Sequence, residues 1–392
     1  MVSAPDRRVG VAMWRTHVPN PRAAAATRIA AVAVSITVAA FAAAGCSVRF
    51  TAGANPRPHA KAHVKRHARH HNRPARTNHK RRPPHRSHGR AGQAGQELIT
   101  EPHDGFSAVY RLIGHARHSI DLTMYELADT TAEHALAAAA RRGVSVRVIL
   151  DRRHKSLDSA AYRYLTSHRV KVVWSSSRFE YTHQKTLVAD QSKAIIMTAN
   201  LTSGYYKTSR DFLVIDPVRA DVAAIVRVFD ADFRHRPIRP GDGRDLVWSP
   251  TDSQRQILGL INGARKSLRV YSEEMADSTV DNALIKAAKR GVDVSICGEN
   301  TGGEYNAVFA RLARAGVHIS YYSSYSGFYI HAKVVEADYG TDRGRSFIGS
   351  ENFSETSLDR NRELGLITSN RGILASVART FAGDFKRGKH VR

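Results

Sequence analysis

The chain has 392 residues, 42% of them hydrophobic, and a formal net charge of +25 at pH 7. Its two cysteines exclude a disulfide framework and a cysteine-based metal site. Much of the charge lies in one stretch, because residues 51–90 hold 12 lysines and arginines, eight histidines and no acidic residue. The net charge therefore does not by itself indicate a nucleic-acid-binding surface on the rest of the chain.

The first predicted element is an apolar segment with the pattern of an export signal. Residues 29–45 read IAAVAVSITVAAFAAAG, follow Arg22 and Arg28, and end just before Cys46. This pattern predicts a signal peptide over residues 1–45. The AAGC sequence that ends at the cysteine is similar to a bacterial lipobox, which implies lipidation of Cys46 and attachment to the cell membrane. Ordinary cleavage with secretion, or an uncleaved anchor, are the alternatives.

Residues 46–100 are predicted to form a disordered basic linker. Prolines interrupt the stretch, and it offers little apolar surface for folding. Such a linker is either a solvated spacer or a segment that adheres to anionic lipid or envelope polymer. Nothing fixes its histidines in one geometry, so we expect no metal site there. We also expect no cofactor.

Strand and helix patterns alternate after the linker. Six apolar runs in the first half are typical of strands: SIDLTMY, SVRVIL, VKVVW, KTLVA, KAIIM and DFLVI. Two helical patterns, TAEHALAAAARRG and SLDSAAYRYLTSHR, lie between the first three runs. The alternation predicts the α/β class, with a mainly parallel or mixed sheet that is flanked by helices.

The chain then repeats this pattern. YTHQKTLVAD at 181–190 returns as YIHAKVVEAD at 329–338, displaced by 148 positions, and GHARHSIDLTMYELAD matches NGARKSLRVYSEEMAD at the same offset. A repeat of this length is a duplicated domain. We predict homologous domains at 101–216 and 248–385, joined by a helix and loop at 217–247. A pseudo-twofold axis would bring their equivalent faces to one cleft.

Each copy carries a histidine and a lysine two positions apart, His183 with Lys185 and His331 with Lys333. In a strand, side chains at this spacing share a face. In one copy alone, a structural histidine and a solvated lysine would be the simpler interpretation, but the duplication favours a functional one. A cleft with two imidazoles and two ammonium groups supplies the nucleophile, the acid and the positive charge that cleavage of a phosphodiester requires. This chemistry does not require a metal ion.

These residues resemble the phospholipase D superfamily, whose signature is His-x-Lys-x4-Asp followed after a short gap by Gly-Ser-x-Asn. Both copies contain the first part, which ends at Asp190 and Asp338. The second copy has GSEN at 349–352, whereas the first has MTAN at 197–200. The resemblance extends over about residues 100–385 and implies two tandem phospholipase D-like domains.

The resemblance also implies a role for each motif residue. His183 would be the nucleophile that forms a covalent phosphohistidine, and His331 the general acid and base. Asp211 and Glu363, which occupy equivalent positions, would orient the histidines. The two motif aspartates would be structural. The phosphoryl oxygens would be held by Lys185, Lys333, Asn200, Asn352, Thr198 and Ser350.

The family includes phospholipases, phospholipid synthases and nucleases, so the motifs leave the substrate open. We predict an exported phosphodiesterase, a hydrolase of the phospholipase D type, that hydrolyses membrane phospholipids or transfers their phosphatidyl group. Stretches with aromatic residues at 175–182, 204–207 and 321–330 suit a membrane interface, although they could equally pack the two halves together.

The alternatives are a metal-independent endonuclease, whose aromatic side chains would stack on bases, and a cardiolipin synthase-like phosphatidyltransferase. The expected partners are a phospholipid substrate and the membrane surface, with nucleic acid as the alternative substrate. The sequence indicates no obligate protein partner.

Overall fold

The computed structural model describes residues 95–241, 243–323 and 325–391. The predictions of a signal peptide and of lipidation at Cys46 concern residues outside this part of the chain, as does nearly all of the predicted linker. No helix within the described ranges is long and apolar enough to cross a membrane.

The first repeat is a mixed sheet with helices on both faces. Its strands are β1 (Glu97–Glu101), β2 (Ser119–Met124), β3 (Leu127–Ala128), β4 (Ser145–Leu150), β5 (Lys171–Trp174), β6 (Thr186–Ala189), β7 (Lys193–Met197), β8 (Leu201–Thr202) and β9 (Ser209–Asp216). Its helices are α1 (Ser107–His115), α2 (Thr130–Arg141), α3 (Lys155–Ser167) and α4 (Arg219–Phe233). The strand order is β1-β9-β7-β6-β2-β4-β5, in which β2, β4 and β5 run parallel.

The second repeat has the same plan. Its strands are β10 (Leu246–Ser249), β11 (Ser267–Ser272), β12 (Met275–Ala276), β13 (Asp293–Glu299), β14 (His318–Tyr322), β15 (Tyr329–Ile330), β16 (Val334–Ala337), β17 (Arg345–Gly349), β18 (Phe353–Ser354), β19 (Glu363–Thr368) and β20 (Lys389–His390). Its helices are α5 (Ser253–Gly263), α6 (Ser278–Lys289), α7 (Asn306–Arg314), α8 (Glu355–Asp359) and α9 (Arg371–Arg387). The strand order is β10-β19-β17-β16-β11-β13-β14-β20. The predicted α/β class with two homologous units is confirmed.

Two of the predicted domain boundaries differ from those in the structure. Strand β1 begins at Glu97, inside the predicted linker, and pairs along its length with β9. Its five residues, ELITE, are too few and too polar to give a clear strand pattern. Helix α4 is not a connector, because Val222, Ile225 and Val228 lie in a hydrophobic core and the helix is the counterpart of α9.

Side chains of successive residues in the strands point alternately to the core of the first repeat and to a second core that both repeats share. Leu187 and Ile195 point into the first repeat's own core, while Val188 and Ile196 point to the shared one. This is the period-two pattern of a sheet that is covered on both faces. The shared core also contains the following residues of the second repeat: Trp248, Tyr271, Cys297, Val334, Ile348 and Leu364. Cys297 is a buried free thiol, and burial raises its pKa well above the usual value.

The segment that carries each histidine pairs with the other repeat, either at the start of β9 or immediately before β19. Tyr329 and Ile330 form a parallel ladder with the start of β9, and Thr182 forms an isolated bridge with Arg362. His183 and His331 therefore lie just before β6 and between β15 and β16, and not within strands as predicted. The local ladder is interrupted because the backbone there is pairing across the two repeats.

Two buried ion pairs also cross between the repeats. Arg210 Nε in β9 donates to Asp384 Oδ2 in α9 at 2.6 Å. In the equivalent place, Arg362 Nε lies 2.9 Å from Asp232 Oδ2 in α4. Each strand thus forms a buried ion pair with the last helix of the opposite repeat, so the contacts follow the predicted pseudo-twofold relation.

We predict that Asp384→Ala destabilises the protein by about 3–5 kcal/mol, because it leaves the buried guanidinium of Arg210 without its partner. Asp342→Ala is the control, since Asp342 pairs with Arg371 on an exposed surface, where a pair contributes about 0–1 kcal/mol. Urea unfolding of both variants measures the difference. A decrease of less than about 1 kcal/mol in the free energy of unfolding of Asp384→Ala would contradict the proposed contribution of the Arg210–Asp384 pair to stability.

Candidate active site

Each motif histidine is bound by the carboxylate of the other repeat. His183 Nδ1 lies 2.8 Å from Glu363 Oε2, and His331 Nδ1 lies 2.8 Å from Asp211 Oδ1. The sequence predicted these four residues but did not predict which carboxylate binds which histidine. The crossed backbone pairing decides this, because it places each histidine segment beside the strand of the opposite repeat that carries the carboxylate, β9 or β19.

The strand that carries each histidine-binding carboxylate also contributes to the contact between the two repeats. Arg210 and Asp211 are consecutive in β9, so their side chains leave on opposite faces. Arg210 reaches α9, and Asp211 reaches His331. Arg362, immediately before β19, and Glu363, its first residue, repeat the arrangement.

The carboxylates fix the proton on one nitrogen of each ring. A carboxylate only accepts hydrogen bonds, so Nδ1–H of a neutral His183 donates to Glu363 and leaves the lone pair on Nε2. Burial lowers the pKa of His183, and the charges of Lys185 and Lys333 lower it further, against the opposing effect of Glu363. A neutral imidazole with a free Nε2 lone pair is a competent nucleophile.

Further hydrogen bonds hold the carboxylate of Glu363. Glu363 Oε1 accepts from Ser357 Oγ at 2.5 Å and from Asn361 Nδ2 at 2.9 Å. Although burial opposes it, the pKa of Glu363 lies below its usual value, mainly because His183 and then Lys185 stabilise the anion. Glu363 is therefore an ionised carboxylate.

The two lysines are buried at the centre of the site. Lys185 Nζ donates to the carbonyl of His183 at 2.6 Å, and Lys333 Nζ donates to that of His331 at 2.5 Å. Lys185 Nζ also lies 4.8 Å from the ring centroid of Tyr125. Burial, and then the charge of Lys333, lowers the pKa of Lys185 to about 7. The crossed histidine–carboxylate contacts bring both motifs to one site, in agreement with this effect of Lys333 on Lys185.

The motif asparagines lie close to this site with part of each amide unused. Asn200 Nδ2 donates to Glu126 Oε2 at 3.2 Å, and the backbone N–H of Asn352 donates to Ser357 Oγ at 2.8 Å. Within the described part of the chain, the buried Oδ1 atoms of both asparagines have no hydrogen-bond partner. Their contact with phosphoryl oxygens stays a prediction.

The hydroxyls of Thr198 and Ser350 are not directed as predicted. Thr198 Oγ1 donates to Asp211 Oδ1 at 2.6 Å and accepts from the N–H of Phe212 at 3.0 Å. Ser350 Oγ accepts from the N–H of Leu364 at 3.2 Å. Both residues are fully buried. These hydroxyls bind to the strands that carry the carboxylates, so the contacts give no support to a phosphate-binding role.

The motif aspartates lie outside the site. The carboxylate of Asp190 accepts from three backbone N–H groups, those of residues 117–119, and Asp338 accepts from those of residues 265–267. These bonds outweigh the effect of burial and lower the pKa of both carboxylates. Each aspartate fastens a turn to the start of a central strand.

Four residues of the site were not anticipated. Tyr125 lies edge-on to the His183 ring at 4.4 Å and shares a hydrogen bond of 2.9 Å with His154 Nε2. His154 Nδ1 lies 3.4 Å from Glu126 Oε1. Glu273, the counterpart of Tyr125, lies against Lys333. The alignment of MYELAD with SEEMAD contained the signal, since a tyrosine and a glutamate occupy one position.

Both repeats match the model of a known protein family. Residues 109–235 and 257–385 both match the family model described as "Cardiolipin synthase, PLD-like domain", where PLD stands for phospholipase D. The chain belongs to the phospholipase D superfamily, as the resemblance implied, and is an enzyme of that superfamily with two such domains.

Two similar proteins are named cardiolipin synthases. Cardiolipin synthase A of Cronobacter sakazakii is 25% identical, with 75% of this chain and 70% of that protein covered. Cardiolipin synthase C of Escherichia coli K12 is 29% identical over 161 residues, which are 34% of each chain.

Two solved structures share the fold. Phosphatidylserine synthase of Haemophilus influenzae has a TM-score of 0.60 at 12% identity, with 76% of this chain and 87% of that chain covered. Polyphosphate kinase of Porphyromonas gingivalis has a TM-score of 0.60 at 17% identity, with 73% of this chain and 46% of the kinase covered. At these identities the likeness shows the fold alone.

We predict a bell-shaped pH profile of kcat/KM for a soluble diester such as bis(p-nitrophenyl) phosphate. Lys185 is charged below its pKa of about 7, so binding of the anionic diester weakens as pH rises through that value. Towards low pH, His183 gains a proton and loses its nucleophilic lone pair, at a pH below its usual pKa because burial favours the neutral ring.

Because p-nitrophenolate leaves without a proton, the alkaline limb reports binding by Lys185 and not the general acid. Steady-state rates between pH 5 and 9 measure the profile. A kcat/KM that stays constant from pH 7 to 9 would contradict this role of Lys185.

Proposed function

We propose that the protein transfers the phosphatidyl group of a membrane phospholipid to an alcohol or to water. The observation that carries the proposal is the pair of crossed histidine–carboxylate contacts beside two buried lysines. It supplies a nucleophile, a proton donor and positive charge for phosphoryl oxygens within one site.

In the first step, Nε2 of His183 attacks phosphorus. The bond between phosphorus and the head-group oxygen breaks, and that oxygen takes the proton from Nε2 of His331. Lys185 and Lys333 stabilise the charge that develops on the phosphoryl oxygens. The product is a phosphohistidine on His183.

In the second step, water or an alcohol gives its proton to Nε2 of His331, and its oxygen attacks phosphorus. The bond between phosphorus and His183 breaks, and the electron pair returns to the imidazole. Water as the acceptor gives phosphatidic acid, and an alcohol gives a new phospholipid. The two products follow from one intermediate.

An asymmetry between the histidines supports this assignment of roles. The ring of His183 lies against Tyr125, and burial together with two lysines favours its neutral form. His331 Nε2 instead lies 3.7 Å from the carboxylate of Glu273. A neutral ring suits the nucleophile, and a ring beside an anion suits the residue that exchanges protons.

Relatives and exposed side chains support a lipid substrate. Cardiolipin synthases A and C are named for phospholipid synthesis, which favours transfer to an alcohol at least as much as hydrolysis. Tyr205 and Tyr325 are 62% and 98% exposed. Their loops meet, because the N–H of Tyr329 donates to the carbonyl of Thr208. Exposed tyrosines suit the interface between water and lipid.

We also propose that the chain is exported and attached to a membrane. The support is the sequence pattern that ends at Cys46 and the basic stretch that follows it. An enzyme held in this way would meet phospholipid at high local concentration.

The test is an assay of the full chain with phosphatidylglycerol vesicles, in the presence of EDTA, with and without added glycerol. With deuterated glycerol as the added alcohol, we expect phosphatidic acid and deuterium-labelled phosphatidylglycerol by mass spectrometry, since transfer to unlabelled glycerol regenerates the substrate. His183→Ala and His331→Ala should each fall below about one hundredth of the wild-type rate, because nucleophile and acid–base groups each contribute about 10²-fold or more.

His318→Ala is the matched control, since His318 is exposed and lies 3.9 Å from the exposed Asp293. It should keep the wild-type rate. Cleavage of single- or double-stranded DNA without lipid turnover would overturn the proposal in favour of an endonuclease. Activity that survives either active-site substitution would exclude the two-histidine mechanism.

A further inference from the structure

Glu273 places a carboxylate inside the site at the position where the first repeat has Tyr125. Its Oε2 lies 2.5 Å from Lys333 Nζ and 3.7 Å from His331 Nε2. Its Oε1 accepts a hydrogen bond from the hydroxyl of Tyr329 at 2.8 Å. The side chain is 16% exposed, so part of it is open to solvent.

This carboxylate is an anion. Burial favours the neutral acid, but the charges of Lys333 and His331 outweigh it and hold the pKa of Glu273 well below the usual value. An ionised carboxylate accepts hydrogen bonds and donates none. It therefore repels phosphoryl oxygens and attracts a group that carries a hydrogen-bond donor.

The position of Glu273 indicates which part of a substrate it meets. In the two-step reaction, Nε2 of His331 gives a proton to the departing alcohol and takes one from the entering alcohol. The carboxylate 3.7 Å from this nitrogen lies next to the alcohol in both steps. On the other side of the site, the Tyr125 ring lies against His183 and under Lys185. Glu273 thus breaks the symmetry of the two repeats on the side of the alcohol.

We propose that Glu273 determines the specificity for the alcohol, by selecting one that carries a second hydrogen-bond donor close to the reacting hydroxyl. The donor is a neighbouring hydroxyl, as in a polyol, or an ammonium group, as in an amino alcohol. The proposal rests on the proposed transfer through a phosphohistidine. In that transfer, the reacting hydroxyl gives its proton to His331 while the second group donates to Glu273.

The test uses competition between alcohols for one intermediate. The full chain is given bis(p-nitrophenyl) phosphate with equal concentrations of 1-propanol and 1,2-propanediol, and the two transfer products are measured by mass spectrometry. A second arm replaces the diol with ethanolamine. The product ratio is fixed after the intermediate has formed, so it is independent of the natural substrate and of the overall rate.

For the wild type we expect a preference for the diol and for ethanolamine of about tenfold over propanol, the effect of one charge-assisted hydrogen bond. Glu273→Ala should bring both ratios close to the statistical value. Glu273→Gln keeps a neutral acceptor, so it should retain part of the diol preference and lose the ethanolamine preference. Glu336→Gln is the matched control, a buried glutamate of the second repeat that pairs with Arg269, and should leave both ratios unchanged.

Two outcomes would overturn the inference and leave the proposed function standing. One is turnover with unchanged product ratios in both Glu273 variants. The other is complete loss of turnover in both variants while their circular dichroism and unfolding midpoints stay those of a folded protein, since Glu273 would then act in the chemistry itself. If the wild type forms no transfer or hydrolysis product from the diester, the proposed function fails and the inference fails with it.

Discussion

The structure depends on one arrangement that both repeats share, an arginine followed by an acid, at Arg210–Asp211 in β9 and at Arg362–Glu363 where β19 begins. The arginine forms a buried ion pair with a helix of the opposite repeat, and the acid binds the opposite histidine. Because neighbouring residues of a strand point to opposite faces, one dipeptide performs both tasks. Docking of the repeats and orientation of the histidines are therefore the same event. Neither repeat holds a complete site alone.

The electrostatics of the site follow from its burial. Two ammonium groups close together in a poorly solvated space disfavour each other, which is why burial and Lys333 lower the pKa of Lys185. Glu273 neutralises Lys333 but no carboxylate pairs with Lys185 within the described residues. Lys185 thus carries a positive charge that a bound phosphodiester anion would balance, and its position is fixed before the substrate arrives.

Much of the fold could be predicted from the sequence, because the strand runs are strongly apolar and each pattern occurs in both repeats. The identity of Asp211 and Glu363 could be predicted for the same reason. Their crossed pairing could not, since two equivalent repeats make the crossed and uncrossed choices indistinguishable in sequence. The hydroxyls of Thr198 and Ser350 show a second limit, because their direction depends on which strand packs beside the loop. The difference at Glu273 was visible in the alignment, but its meaning needed the distance to His331.

The crossed site is tested most directly by trapping the phosphohistidine. Rapid quenching with a labelled nitrophenyl diester, followed by peptide mapping, gives the labelled residue and its rate of formation. We expect the label on His183 in the wild type, and its accumulation in Asp211→Asn, where the misoriented His331 slows the second step. Glu363→Gln should form the label at least about 100-fold more slowly, since it misorients the nucleophile. Label on His331, or slow labelling in Asp211→Asn with normal labelling in Glu363→Gln, would contradict the account.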